Sequence, residues 1–250
     1  LGLLDEGYRN AISKLSSLHF PSTESHRQAV IELGETPSRV FNVGALAVEA
    51  VKSNRFLSRV ELEAILDFKL ERLLVVTFHP VTLAADHGLA ELRAVIESLQ
   101  MLSGFQVLIT SPNLDGAIED FSSTLRRFAD QNTDRVRLVP SLGSRQYLSA
   151  LMMSVCCLGN SSSGLIEAPI LGVPSIDIGQ RQSGRYKPAS VRSVPANPSA
   201  ILAAVREASI EISPQRALVT GTDVFGSGDT SRQISGTLKR FHDNGELSKW

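Results

Sequence analysis

The 250-residue chain carries 25 Lys plus Arg against 26 Asp plus Glu, a formal net charge of -1 that leaves no broad basic surface to neutralise a nucleic-acid backbone. It has no apolar run of the roughly 18 residues that a membrane-spanning helix needs, and Asp5 and Glu6 follow the opening Leu-Gly-Leu-Leu at once, unlike a secretory leader. With 42% hydrophobic residues it can bury one large core or two modest ones, so the expectation is a soluble, cytoplasmic globular protein without a nucleic-acid or membrane partner.

Tyr8, Ala11, Ile12, Leu15 and Leu18 recur at helical spacing behind Asp5 and Glu6, acidic residues placed where they favour a helix start. His19-Phe20 then reads as a short strand ended by Pro21. A helix through Arg27 to Leu33 and a strand from Val40 to Val43, closed by Gly44, follow. Ser58 and Glu61 form a capping box that opens a helix, and Leu73 to Phe78 is the continuous β-branched run of a strand buried on both faces. Further strands are expected at Val107 to Thr110, Val136 to Val139, Val155 to Leu158, Ser175 to Ile178 and Val191 to Val194. Helical patterns such as Leu89 to Met101 and Ile201 to Ala208 separate them. Asn197-Pro198 sets a cap residue before a proline at a helix start, and Ile234, Leu238 and Phe241 give a closing amphipathic helix. Such alternation predicts parallel sheets covered by helices. Cys156 and Cys157, adjacent in an apolar segment, read as core residues and suit neither a disulfide framework nor a metal site.

In open parallel sheets ligands bind beyond the carboxyl ends of the strands, so the residues after each apolar run are the informative ones. His79-Pro80-Val81-Thr82 follows the first long strand, and Ser111-Pro112-Asn113-Leu114-Asp115-Gly116 the second. Gly159-Asn160-Ser161-Ser162-Ser163-Gly164 leads into a helix carrying Glu167; a hydroxyl-rich turn at a helix amino terminus suits a phosphate or pyrophosphate. Glu167, an acceptor when ionised, suits ribose hydroxyls better than phosphate. Arg181 and Arg185 follow the next strand and can make bidentate phosphate contacts. Each residue also has a plainer reading: Ser161 to Ser163 as a helix cap, His79 as a local hydrogen-bonder, Arg181 as a solvated charge, and Asp5 and Glu6 as helix-start residues. Residue chemistry alone thus points to a nucleotide-binding α/β protein and stops short of a reaction.

Taken together, Asp5-Glu-Gly-Tyr-Arg9, Thr77-Phe-His79-Pro-Val-Thr82, Pro112-Asn113-Leu-Asp115, Gly159 through Glu167-Ala-Pro169, and Gly179-Gln-Arg181-Gln-Ser-Gly184-Arg185 resemble the hydrolysing, sialic-acid-pathway UDP-N-acetylglucosamine 2-epimerases, in the family's order. The resemblance implies an α/β fold of the glycosyltransferase B type, with two Rossmann-like domains and parallel sheets, the first domain truncated at its amino terminus. The expected boundaries are 1–46 for the remnant of the first domain, 47–232 for the second, UDP-binding domain and 233–250 for the closing helix.

By the same resemblance Asp5 takes an acid/base role facing the sugar and His79 lies near the pyrophosphate. Asn113, Ser161, Ser162, Glu167 and Arg181, with Arg9 and Arg185, contact the UDP-sugar. The implied reaction expels UDP, forms a 2-acetamidoglucal and adds water with inversion at C2, without cofactor or metal; a homodimer or homotetramer belongs to the same expectation. The chain reads Phe78-His-Pro-Val-Thr82 where the non-hydrolysing branch has Gly-His-Arg-Arg-Glu-Asn. A UDP-2,4-diacetamido-2,4,6-trideoxyhexose 2-epimerase, a non-hydrolysing enzyme and a catalytically incomplete UDP-binding fragment are the alternatives, with a glycosyltransferase further off.

Overall fold

The computed structural model describes residues 4–81, 85–111, 119–210 and 224–247. The chain divides into two compact units, Leu1–Asn54 with Val219–Trp250, and Arg55–Leu218.

In the first unit, α1 (Leu4–Leu15) forms where the helical periodicity places it, and Tyr8, Ile12 and Leu15 on it are exposed. Helix α2 (Glu24–Glu32) starts at Thr23, whose hydroxyl accepts the His26 N–H at 3.1 Å. Glu35 is buried between Lys14, at 2.9 Å, and His19 Nε2, at 3.1 Å, which ties the end of α2 to the segment after α1. The strands expected at His19-Phe20 and Val40 to Val43 are a single parallel bridge, His19 to Val40. Val43 does donate to Pro21 O, but Pro21 has no N–H to return, so the ladder ends there. Helix α3 (Leu46–Ser53) follows Gly44 and buries Val48 and Val51.

The second unit opens on α4 (Arg59–Leu66), where Ser58 and Glu61 make the expected capping box with both reciprocal bonds present. Then come β1 (Leu73–Thr77), α5 (Leu89–Met101), β2 (Gln106–Thr110), α6 (Glu119–Asp130), β3 (Val136–Val139), α7 (Gly143–Met153), β4 (Cys156–Gly159), α8 (Glu167–Ile170), β5 (Ser175–Ile178), β6 (Val191–Val194) and α9 (Pro198–Ile210). All six strands are parallel in the order β3-β2-β1-β4-β5-β6. Strand β1 is buried along its whole length, as its unbroken apolar sequence requires. Leu74 and Val76 share a core with Val107, Ile109, Cys156, Leu158 and Ile176, which α5, α6 and α9 cover with Leu92, Val95, Phe121, Leu125, Ile201 and Val205. Both cysteines are buried and outside any disulfide. Asn197 caps α9, its Oδ1 accepting from the Ser199 and Ala200 N–H groups. The strand order reverses direction between β1 and β4, and the crevice outside their carboxyl ends is where such sheets bind ligands.

The chain then returns to the first unit with α10 (Thr230–Asp243). Gly226 comes so near Gly44 that a Cβ on it would lie 2.8 Å from the Gly44 Cα, and both have positive φ. Lys52 donates to Ser227 O at 2.6 Å, Thr230 to Val43 O at 3.0 Å and the Ser231 N–H to Glu49 at 2.8 Å. Through these bonds α3 and the residues just before α10 group with the first unit.

Candidate functional site

The residues just past β1, β4 and β5 meet around one buried side chain, Asn160, which has no exposed surface. Its Oδ1 accepts the His79 N–H at 2.6 Å and its Nδ2 donates to the His79 carbonyl at 2.8 Å. On the backbone side, its carbonyl accepts Arg181 Nη1 at 3.1 Å and Gln182 Nε2 at 2.6 Å. Beneath it Gly159 stands at φ +143, where a Cβ would lie 2.0 Å from the Thr77 carbonyl. Only glycine lets the end of β4 lie this close to β1. Deeper still, the Thr77 and Thr110 hydroxyls pair at 2.6 Å.

His79 is half-buried. Desolvation, and then the Arg181 charge, hold its imidazole well below the ordinary histidine range, at about 4. The ring is therefore neutral at physiological pH and offers one N–H donor and one acceptor. Arg181 is half-buried and bonded to the Asn160 carbonyl, so the plain reading of it as a solvated charge does not hold. Arg185, at the far end of the same loop, is exposed.

Ser161 caps a 3-10 turn, Ser162–Gly164, its hydroxyl accepting the Ser163 N–H at 3.3 Å; the capping role read from the sequence is real. The Ser162 carbonyl accepts from Leu165 and Ile166. The helix expected to start at the serines starts later. The serines lie on this separate turn, and Glu167 begins α8, a helix of four residues with few aligned peptides. What the turn supplies is hydroxyl groups directly after Asn160, the residue that bonds His79 and Arg181.

Glu167 is largely buried, and burial raises its carboxyl above the ordinary range. Its Oε2 is buried without a hydrogen-bond partner, the condition of an acceptor awaiting donors. Tyr147 packs behind the turn with its hydroxyl on Ser163, and burial pushes its phenol above the usual value. Cys157, wholly buried beneath the turn, is pushed up to about 12 by burial and then by Glu167, so it stays a thiol.

His79, Ser161, Ser162, Glu167 and Arg181 all lie in the second unit, at or after the carboxyl ends of β1, β4 and β5, with Arg185 on the loop of Arg181. Asp5 and Arg9 belong to α1 of the first unit, Arg9 being exposed, and Asn113 lies outside the described residues. The residues missed from sequence are Asn160, Gln182 and Tyr147. Asn160 carried a signal, a polar residue directly after an apolar strand, whereas Gln182 and Tyr147 carried none. Among the described residues no group of His, Cys, Asp and Glu could hold a metal ion, and no helix is long and apolar enough to cross a membrane.

Residues 1–239 match the family model described as UDP-N-acetylglucosamine 2-epimerase. The chain is 36% identical over 188 residues to the hydrolyzing GDP/UDP-N,N'-diacetylbacillosamine 2-epimerase of Campylobacter jejuni, an alignment covering 75% of this chain and 49% of that protein. It is likewise 36% identical over 199 residues to the polysialic acid biosynthesis protein P7 of Escherichia coli, covering 79% and 50%. The chain therefore spans about half the length of these curated relatives. A solved UDP-N-acetylglucosamine 2-epimerase from Rickettsia bellii superposes with a TM-score of 0.70 at 19% identity, over 98% of this chain and 65% of that one. That likeness and the strand order are those of an α/β protein of the glycosyltransferase B type, and the described residues contain one Rossmann-like sheet, that of the second unit.

Proposed function

The chain belongs to the UDP-N-acetylglucosamine 2-epimerase family, and we propose that the full-length gene product hydrolyses and epimerises UDP-N-acetylglucosamine, giving N-acetylmannosamine and UDP. The observation that carries the nucleotide part of this reading is the meeting of His79 and Arg181 on Asn160 at the β1–β4 switch point, with the serine turn and the buried, unpartnered Glu167 Oε2 following it in the chain. In this reading the guanidinium of Arg181, the Ser161 and Ser162 hydroxyls and a neutral His79 face the pyrophosphate, with Arg9 and Arg185 adding charge. Asn113 contacts the nucleotide, and Glu167 accepts hydrogen bonds from the ribose. Departure of UDP from C1 then proceeds against fixed donors. Asp5 acts as the acid/base group at the sugar: the C2 proton is removed as the C1–O bond breaks, and water adds back to the resulting 2-acetamidoglucal with inverted C2.

A second reading, the UDP-2,4-diacetamido-2,4,6-trideoxyhexose as substrate, is favoured by the name of the Campylobacter jejuni relative. Incubating the full-length protein with each UDP-sugar in deuterated water, followed by proton NMR, tests both. UDP and N-acetylmannosamine deuterated at C2 are expected. Turnover of the diacetamido sugar alone moves the assignment to the second reading, intact UDP-N-acetylmannosamine moves it to the non-hydrolysing class, and no turnover of either sugar refutes both.

A further inference from the structure

We infer that Asn160 is a positioning residue that holds His79 and the Arg181 loop in one fixed relation, so that both present their donors to the same anionic group. This rests on the reading that His79 and Arg181 face a pyrophosphate. The β1–β4 ladder ends at the pair Thr77 and Gly159, and the Asn160 N–H donates to Thr77 O at 3.2 Å. One residue further on, where the chains diverge, the Asn160 amide takes over from main-chain pairing and closes a two-bond ring on the N–H and carbonyl of His79. Such a ring needs a donor atom and an acceptor atom on the same carbon of one short side chain, which Asn has and Ser, Thr and ionised Asp lack. Pro80 narrows the backbone choices of His79 further, so the ring sits on a residue with little freedom left.

The other half of the device is the Asn160 carbonyl. It accepts from Arg181 and from Gln182, which is 1% exposed, so the loop after β5 is drawn onto the same residue that grips the end of β1. Three strand ends are joined through one buried residue. A shift of His79 would carry Arg181 with it, and preorganised donors are what a departing pyrophosphate requires.

The test is a double-substitution cycle on UDP affinity, measured by titration calorimetry on the full-length protein. Asn160→Ser is neutral, so it leaves the field at the site unchanged while removing the ring. It is expected to weaken UDP binding about tenfold, the scale of lost buried hydrogen bonds. In the His79→Ala background the same substitution should change affinity by only about threefold, because the imidazole is gone and only the Arg181 loop is left to position. Gln182→Ala leaves the ring intact and loosens only the loop. It should weaken binding about threefold with His79 present, and it serves as the second probe if Asn160→Ser fails to fold. Wild-type affinity in Asn160→Ser, or full additivity with His79→Ala, overturns the positioning role while leaving the nucleotide reading intact. A wild-type chain that takes no UDP, or an unchanged affinity in His79→Ala, removes the nucleotide reading and the role of Asn160 with it.

Discussion

Lowering the pH should weaken the fold through His79 before it reaches the acid range where carboxylates protonate. The imidazole titrates at about 4 in the folded protein, against an ordinary 6.5, because it is desolvated and faces Arg181. Above pH 6.5 both folded and unfolded chains keep His79 neutral, and the fold has its full stability from this source. Between 6.5 and about 4 the unfolded chain gains a proton that the folded chain declines, so stability falls; below about 4 the loss is complete. At about 1.4 kcal/mol per pH unit the gap is worth roughly 3 kcal/mol, a large share of the 5–15 kcal/mol usual for a domain. Glu167 works in the opposite direction, since its carboxyl is raised and its burial is relieved as pH falls through its folded value. The comparison must therefore be made against His79→Gln, in which Glu167 is unchanged. Guanidinium unfolding at pH 7.5 and pH 4 should show wild type losing about 3 kcal/mol more than the variant. NMR of the imidazole ring should find His79 neutral at pH 5. An ordinary titration near 6.5, or equal losses in wild type and variant, would refute the electrostatic account of the site.

Gly159→Ala forces a Cβ against the Thr77 carbonyl at a φ that side chains rarely adopt, and should cost on the order of 3 kcal/mol in thermal unfolding, with UDP binding lost as the strand ends part. Glu167→Gln should weaken UDP binding about tenfold yet leave 2′-deoxy-UDP nearly unaffected, as competition titrations would show; equal losses for both nucleotides would place the carboxylate away from the ribose. Ser58→Ala removes the hydroxyl that accepts the Glu61 N–H at α4 while the Ser58 N–H keeps its bond to the Glu61 carboxylate, and should cost about 1 kcal/mol of unfolding free energy without altering UDP affinity.

Local chemistry in the chain was enough to determine the building blocks. Unbroken apolar runs became the buried strands, Ser58 with Glu61 and Asn197 with Pro198 opened their helices, and the adjacent cysteines went into the core, because each outcome depends on neighbours within a few residues. His79, Ser161, Ser162, Glu167 and Arg181 could also be read from sequence, as polar residues standing just past strands or leading into helices. What tertiary structure alone decided was partnership. The Val40 to Val43 run has strand composition yet remains a single bridge, since a ladder needs an N–H from the other chain and Pro21 has none. The pairing of β1 with β4, distant in sequence, is what sets Asn160 on the backbone of His79. Gln182 and Tyr147 gained their roles from residues far away or on other elements, and Glu167 Oε2 stands without a donor only because the fold buries it. Propensity acts along a few residues, whereas hydrogen-bond satisfaction inside a core is settled by whichever distant groups the sheet brings alongside.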